Sequence, residues 1–192
     1  MMPRKRREEW SPDHFYHIVT RGNRRDPLFQ DERDVKAFLS ILTKVHEKTS
    51  FEIASFCLMN NHYHLHMRSS KTDMSSVMAM INRRYSSYYN TRYNLTGHAY
   101  EERFYSDKVP GVINNIHLSH YIHMNPLRAN MVSDPAEYSW SSYQYFHNLA
   151  LTYPTFFSPL HILNCYGGTL AEKQMKYLES LDHYNEKFLS KT

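Results

Sequence analysis

The sequence predicts an α+β fold of the ferredoxin-like kind, an antiparallel sheet with helices on one face. Three observations predict it. Two internal runs have the apolar periodicity of helices, four shorter runs are rich in β-branched and aromatic residues, and their order is strand, helix, strand, strand, helix, strand. That arrangement leaves the other face of the sheet free. A further amphipathic run at the C-terminus lies outside the six-element pattern.

The elements follow in chain order. HFYHIVT (14–20) reads as the first strand and RGNRRD as the turn that ends it. Val35, Phe38, Leu39, Leu42 and Val45 recur at helical spacing, so residues 31–48 form the first helix. FEIASFCLM (51–59) and HYHLHMR (62–68) are strands joined by the two-residue turn Asn60-Asn61, and the pair is an antiparallel hairpin. Residues 74–93 form the second helix, with Thr72 or Asp73 as its N-cap and Gly97 just beyond its end. HAYEERFYSDKVP (98–110) contains the fourth strand. A helix from about Val112 to Met124 should stop before Pro126, which has no N–H and restricts the residue ahead of it. Residues 127–160 are less regular, and 169–189 form a closing helix. The expected division is a main domain over 1–145 and a helical extension, 146–192, packed on it.

At 192 residues the chain is long enough to close a core unaided. Its two cysteines, Cys57 and Cys165, lie far apart without metal-ligand or disulfide spacing, which points to a reducing cytoplasm. No apolar run reaches membrane-spanning length, and the basic start MMPRKRREEW lacks a signal peptide's apolar stretch. The formal charge of +4 tilts toward a polyanionic partner without establishing one. Sixteen tyrosines offer flat faces suited to single-stranded nucleic acid, though tyrosines also fill cores.

CLMNNHYHLHM (57–67) carries the chemistry. Alternate side chains of a strand share a face, so His62, His64 and His66 point one way and Tyr63, Leu65 and Met67 the other, toward the helices. Neighbouring imidazoles can converge on one cation. The outer pair, about 13 Å apart at Cα, cannot, so at most two adjacent histidines bind. A bare sheet face that happens to carry histidines is the plain alternative. No fourth histidine or cysteine completes a zinc set, and two imidazoles with an oxygen ligand suit Mn²⁺ or Mg²⁺ at a phosphate.

Here the sequence resembles a known family. MNNHYHLHM is similar to the HUH motif (histidine, bulky residue, histidine) of single-tyrosine transposases, with His62 and His64 as the pair. FYHIVTRGNRRDPLFQDERD, INRRYSSYYNTRYNLTGHAYEERFYS, HYIHMNPLRANMV and YSWSSY resemble successive blocks of the REP-associated tyrosine transposase branch, over roughly residues 14–145. Asn60, where the family usually has proline, and AYEERF, where a glutamine-glycine-arginine run is common, depart from the pattern.

The resemblance implies that Tyr121 is the nucleophile and that Asn125 joins His62 and His64 around a divalent ion, Mg²⁺ or Mn²⁺. Residues i and i+4 share a helix face, which agrees with that pairing. Read alone, Tyr121 could equally be a core tyrosine and Asn125 a helix cap. A phenol titrates at about 10, so it needs help to attack at neutral pH. The activity implied is cleavage and rejoining of single-stranded DNA beside a hairpin through a 5′-phosphotyrosine, as in DNA transposition and recombination. The branch implies a monomer, and the wider family includes dimers that exchange the tyrosine helix.

Candidate DNA contacts are Arg21, Arg24 and Arg25 in the first loop, Arg83, Arg84 and Arg92 in the second helix, and Arg103 and Lys108 around the fourth strand. Arg4, Lys5, Arg6 and Arg7 could extend that track. The stripe Tyr85, Tyr89, Tyr93 is assigned to packing, and His17 and His66 to structural or peripheral places. Two other readings stand beside the enzyme: a catalytically silent nucleic-acid-binding protein of the same fold, and a zinc hydrolase built on the histidines.

Overall fold

The structure, a computed structural model, describes residues 10–189; the basic cluster Arg4–Arg7 lies outside the described residues. Its frame is β1 (Phe15–Arg21), α1 (Glu32–Thr49), β2 (Phe51–Met59), β3 (His62–Ser69), α2 (Met74–Tyr93) and β4 (Tyr105–Val109). The strands lie in the order β2-β3-β1-β4 with every pairing antiparallel, the ferredoxin-like topology. After them come α3 (Val112–Arg128), the short α4 (Tyr143–His147) and α5 (Leu160–Leu163), and α6 (Leu170–Leu189).

Local chemistry explains the boundaries. Asp31 caps α1 by accepting from the backbone of Arg33 and Asp34, and Asp73 caps α2 by accepting from Ser76. The second helix spans Met74–Tyr93, as expected, and its C-cap is Asn94, in the left-handed region at φ 51°, three residues before Gly97. Within 98–110 only Tyr105–Val109 are strand. The segment before them still runs beside the end of β1, where the Asn23 and Glu101 amides donate to Ala99 and Arg21.

Pro126 does not stop α3, which runs through it to Arg128. Proline costs a helix one hydrogen bond and crowds the carbonyl four residues back. In the last turn little remains to be lost, and the amides of Ala129 and Met131 still bond back to Asn125 and Pro126.

The two faces of the sheet are built differently. Tyr63, Leu65 and Met67 of β3, with Tyr16 and Ile18 of β1, are buried under α1 and α2. Phe38 packs 4.7 Å from Tyr63 and 5.2 Å from Tyr85 between ring centroids. Burying side chains of this size contributes about 1.5–3 kcal/mol each. The opposite face, expected to be free, receives α3: Ile122, Leu118 and Tyr121 pack on Cys57 and Met59 of β2. Buried His123 fixes the helix there, one ring nitrogen 2.6 Å from the Tyr177 hydroxyl of α6 and the other 2.8 Å from Ser142 Oγ.

The irregular chain after α3 covers the outer edge of β2. Leu58 N donates to Trp140 O, Ile53 N to Phe156 O, and Ser142 N to Phe56 O. An uncovered edge would be a template for pairing with other chains. Phe146, Phe156, Phe157, Leu163 and Tyr177 belong to the same core as the sheet.

Candidate active site

The site begins at the β2–β3 turn. Leu28 and Phe29 amides donate to Asn60 O and the Gly22 amide to Asn61 O, which folds the loop after β1 onto the hairpin. Gly22 is required there, because a Cβ would come within 2.2 Å of Asp26 O. Asn61 Nδ2 donates to Arg25 O at 3.3 Å, so its Oδ1 faces His62 Nδ1, 2.8 Å away. An amide oxygen only accepts. His62 therefore carries its hydrogen on Nδ1 and keeps its Nε2 lone pair.

His62 and His64 share a face as expected, with ring centroids 5.0 Å apart and planes nearly perpendicular. His64 is 4% exposed, and its Nε2 has no hydrogen-bond partner among the described residues. Burial holds both rings neutral: it pushes His62 down to about 4, aided by the Arg21 charge, and His64 well below the usual imidazole range. His66 is fully buried and engaged on both nitrogens, with Asn115 Oδ1 at 2.8 Å and Ser55 Oγ at 3.3 Å. It joins sheet to helix and faces no cleft.

Tyr121 comes down on this pair from α3 of the same chain. Its ring stands nearly perpendicular to His64 and His17, at 5.6 and 5.8 Å between centroids. His17 is the residue that sequence reasoning placed at the periphery. It stacks on His64 at 5.2 Å, with its Nε2 2.9 Å from His64 Nδ1. A signal for it existed, since alternation in FYHIVTR puts His17 on one face with Phe15, Val19 and Arg21, and the topology lays β1 beside β3. Asn125 sits one turn beyond Tyr121, its Nδ2 donating to the Tyr121 carbonyl at 2.8 Å.

A cleft of about 550 Å³ opens over this cluster, lined by His17, Val19, Arg21, His62, His64, Glu101, Glu102, Arg103, Tyr105 and Tyr121. A larger cavity, about 800 Å³, lies between α3 and α6 but has neither His62 nor His64 in its wall. The smaller one holds the convergent chemistry. Among the described residues no group of three or more His, Cys, Asp or Glu is arranged to hold a metal, so a cation here needs donors of other kinds.

The basic residues divide. Arg21 and Arg103 line the cleft. Arg24 and Arg25, both exposed, sit in the first loop in left-handed backbone at φ 52° and 64°. Arg83 and Arg84 belong to α2, across the sheet from the cleft, and Lys108 pairs opposite Tyr16, on that same far side. Arg92 is committed elsewhere: it bridges Asp31 and fully buried Asp34, which also accepts from Tyr88 and Tyr93. The expected phosphate contact is thus replaced by a structural ion pair, since leaving Asp34 buried without a cation would be costly. Tyr85 and Tyr89 pack as expected, their hydroxyls donating to Leu28 O and Pro27 O.

A ferredoxin-like sheet with a histidine pair on one face and a tyrosine helix laid across it defines the class. Residues 11–125, more than half of the chain, match the family described as IS200-like transposases, and the chain belongs to that family. Among solved structures, a REP-associated tyrosine transposase bound to a REP hairpin superposes with a TM-score of 0.65 at 19% identity. The match covers 88% of this chain and 93% of that one, so the two share their fold over nearly their whole length. The curated proteins contain no match. No helix among the described residues is long and apolar enough to cross a membrane.

Proposed function

We propose that this chain is a metal-dependent single-stranded DNA endonuclease and strand transferase of the REP-associated type, working beside DNA hairpins through a 5′-phosphotyrosine on Tyr121. One observation carries the reading: Tyr121 and the His62/His64 pair meet in a single cleft within one chain. That arrangement supports a monomeric enzyme.

The residues present fit a divalent ion. His64 Nε2 is a buried nitrogen without a partner, which calls for an explanation, and the Asn61 contact leaves His62 Nε2 unprotonated. His62 and His64 would hold Mg²⁺ or Mn²⁺ through these atoms; Asn125, the third ligand implied by the family resemblance, is not in the cleft wall and would have to turn its side chain from the Tyr121 carbonyl to join them. Bound there, the ion supplies positive charge to the scissile phosphate. Arg21 and Arg103 add charge for the strand's phosphates. Tyr121 Oη gives up its proton and attacks phosphorus in line; the bond from phosphorus to the 3′ oxygen breaks, and that oxygen is protonated as a free 3′-OH. One phosphodiester replaces another, so attack by a 3′-OH on the phosphotyrosine reseals the strand without ATP.

The test is a covalent adduct. Hairpin-flanked single-stranded DNA carrying a label, incubated with the protein and Mn²⁺ or Mg²⁺ and then denatured, should migrate with the chain. Tyr121→Phe should remove the adduct while DNA binding persists. An adduct that survives this substitution assigns the chemistry to another residue. Binding without any adduct from the unaltered chain would instead support a silent DNA-binding protein.

A further inference from the structure

We propose that His17 is a positioning residue of this site, accepting the Nδ1 hydrogen of His64 and so fixing the tautomer that directs the His64 Nε2 lone pair at the cation. The inference rests on the metal role given above to His62 and His64.

Two imidazole nitrogens 2.9 Å apart share one hydrogen: one ring donates and the other accepts. If His17 were the donor, the neutral His64 ring would carry its hydrogen on Nε2. That atom is buried and has no acceptor, so it would be a donor with nothing to receive it. If His64 donates, its Nε2 becomes a bare lone pair beside the second imidazole, the form that ligates a metal. The same logic holds at His62, where Asn61 Oδ1 takes the Nδ1 hydrogen. Each histidine of the pair thus has its own outer acceptor, an asparagine oxygen for one and an imidazole for the other. Such outer partners orient ligating histidines generally.

Position adds a second function. His17 faces Asp107 across the β1–β4 ladder and touches Tyr121 edge-on as well as stacking on His64. It is therefore in contact with both a proposed ligand and the proposed nucleophile. His66, its neighbour in the β1–β3 ladder, cannot substitute, because both of its nitrogens are engaged with Asn115 and Ser55.

The tautomer can be read without altering the chain. Long-range ¹H–¹⁵N spectra of the metal-free protein, with ¹⁵N-labelled histidine, should show His64 protonated on Nδ1; protonation on Nε2 overturns the proposal. Calorimetric titration with Mn²⁺, without DNA, gives the second arm. His17→Leu should weaken Mn²⁺ binding by about 10- to 100-fold. His17→Gln, whose Oε1 still accepts, should recover most of that loss. Wild-type affinity in His17→Leu, or an equal loss in both variants, contradicts the assignment. His64→Ala separates the two levels: unchanged Mn²⁺ affinity there refutes the metal reading itself, whatever the state of His17.

Discussion

The two faces of one sheet have opposite characters, and neighbouring residues of one strand belong to both. Beneath α1 and α2, Tyr63, Leu65 and Met67 are fully buried in a close-packed core. On the other side, His62 and His64 meet His17 and Tyr121 in an open cleft, with a buried nitrogen left without a partner. Strand alternation allows this separation. One face can be optimised for cohesion while the other keeps a polar arrangement that stability alone would not select.

The contrast should appear in adjacent positions. The largest effect is expected on the histidine face: His64→Ala should lower adduct formation by roughly 10²- to 10³-fold, as loss of a transition-state charge stabiliser does. Its urea midpoint without metal should fall less than that of Leu65→Ala, because removal of an unpartnered nitrogen offsets part of the lost His17 contact and packing. Leu65→Ala, one residue away, should reverse the pattern, costing about 2–5 kcal/mol of stability by opening a cavity. Comparable losses of stability in both variants would mean that the histidine face is as much a part of the packed core as the other.

Acid should act on the buried histidines. His66 and His123 are fully buried, and burial pushes the first down to about 3 and the second well below the usual range. An unfolded histidine titrates near ~6.5. Below that pH the unfolded chain binds protons that the folded chain does not, so stability falls as pH drops, and recovers above it. Each such group contributes at most about 1.4 kcal/mol per pH unit. Urea midpoints at two pH values, near neutrality and one to two units lower, should show the decline; a flat profile would mean these histidines ionise without unfolding.

The smallest effects separate the arginines. Arg21→Ala and Arg103→Ala should each reduce the slope of log affinity against log salt by about 1, measured by anisotropy with single-stranded DNA. Arg83→Ala, across the sheet, should leave the slope unchanged. Arg92→Ala should also leave it unchanged while lowering stability, because Asp34 loses its cation. A slope that responds equally to Arg83 and Arg21 would place DNA on both faces.

Much of this frame is legible in the sequence because it is written in local periodicity. The hairpin around Asn60-Asn61, the boundaries of α2 and the inward face of β3 follow from spacing alone. The placement of α3 does not. Its contacts with Cys57 and Met59, and the clamp of His123 on Tyr177 and Ser142, are formed over long chain separations that no periodic pattern reports. The helix also ran past Pro126, because a proline in a last turn removes little. Arg92 has the look of a phosphate ligand in the sequence because its partner Asp34 lies 58 residues earlier. His17 needed two facts together, alternation in its own strand and the strand order. Tyr121 was picked out by family resemblance, since nothing local distinguishes it among sixteen tyrosines.

One chain supplies both the histidine pair and the tyrosine of its cleft, and mixing two variants shows whether the same holds during DNA cleavage. A His62→Ala/His64→Ala variant and a Tyr121→Phe variant, each inactive alone, are combined at a concentration where the unaltered chain labels efficiently with DNA. No covalent adduct should form in the mixture. Recovery of adduct on the chain that retains Tyr121 would show that the tyrosine serves a partner's histidines, contradicting that single-chain arrangement.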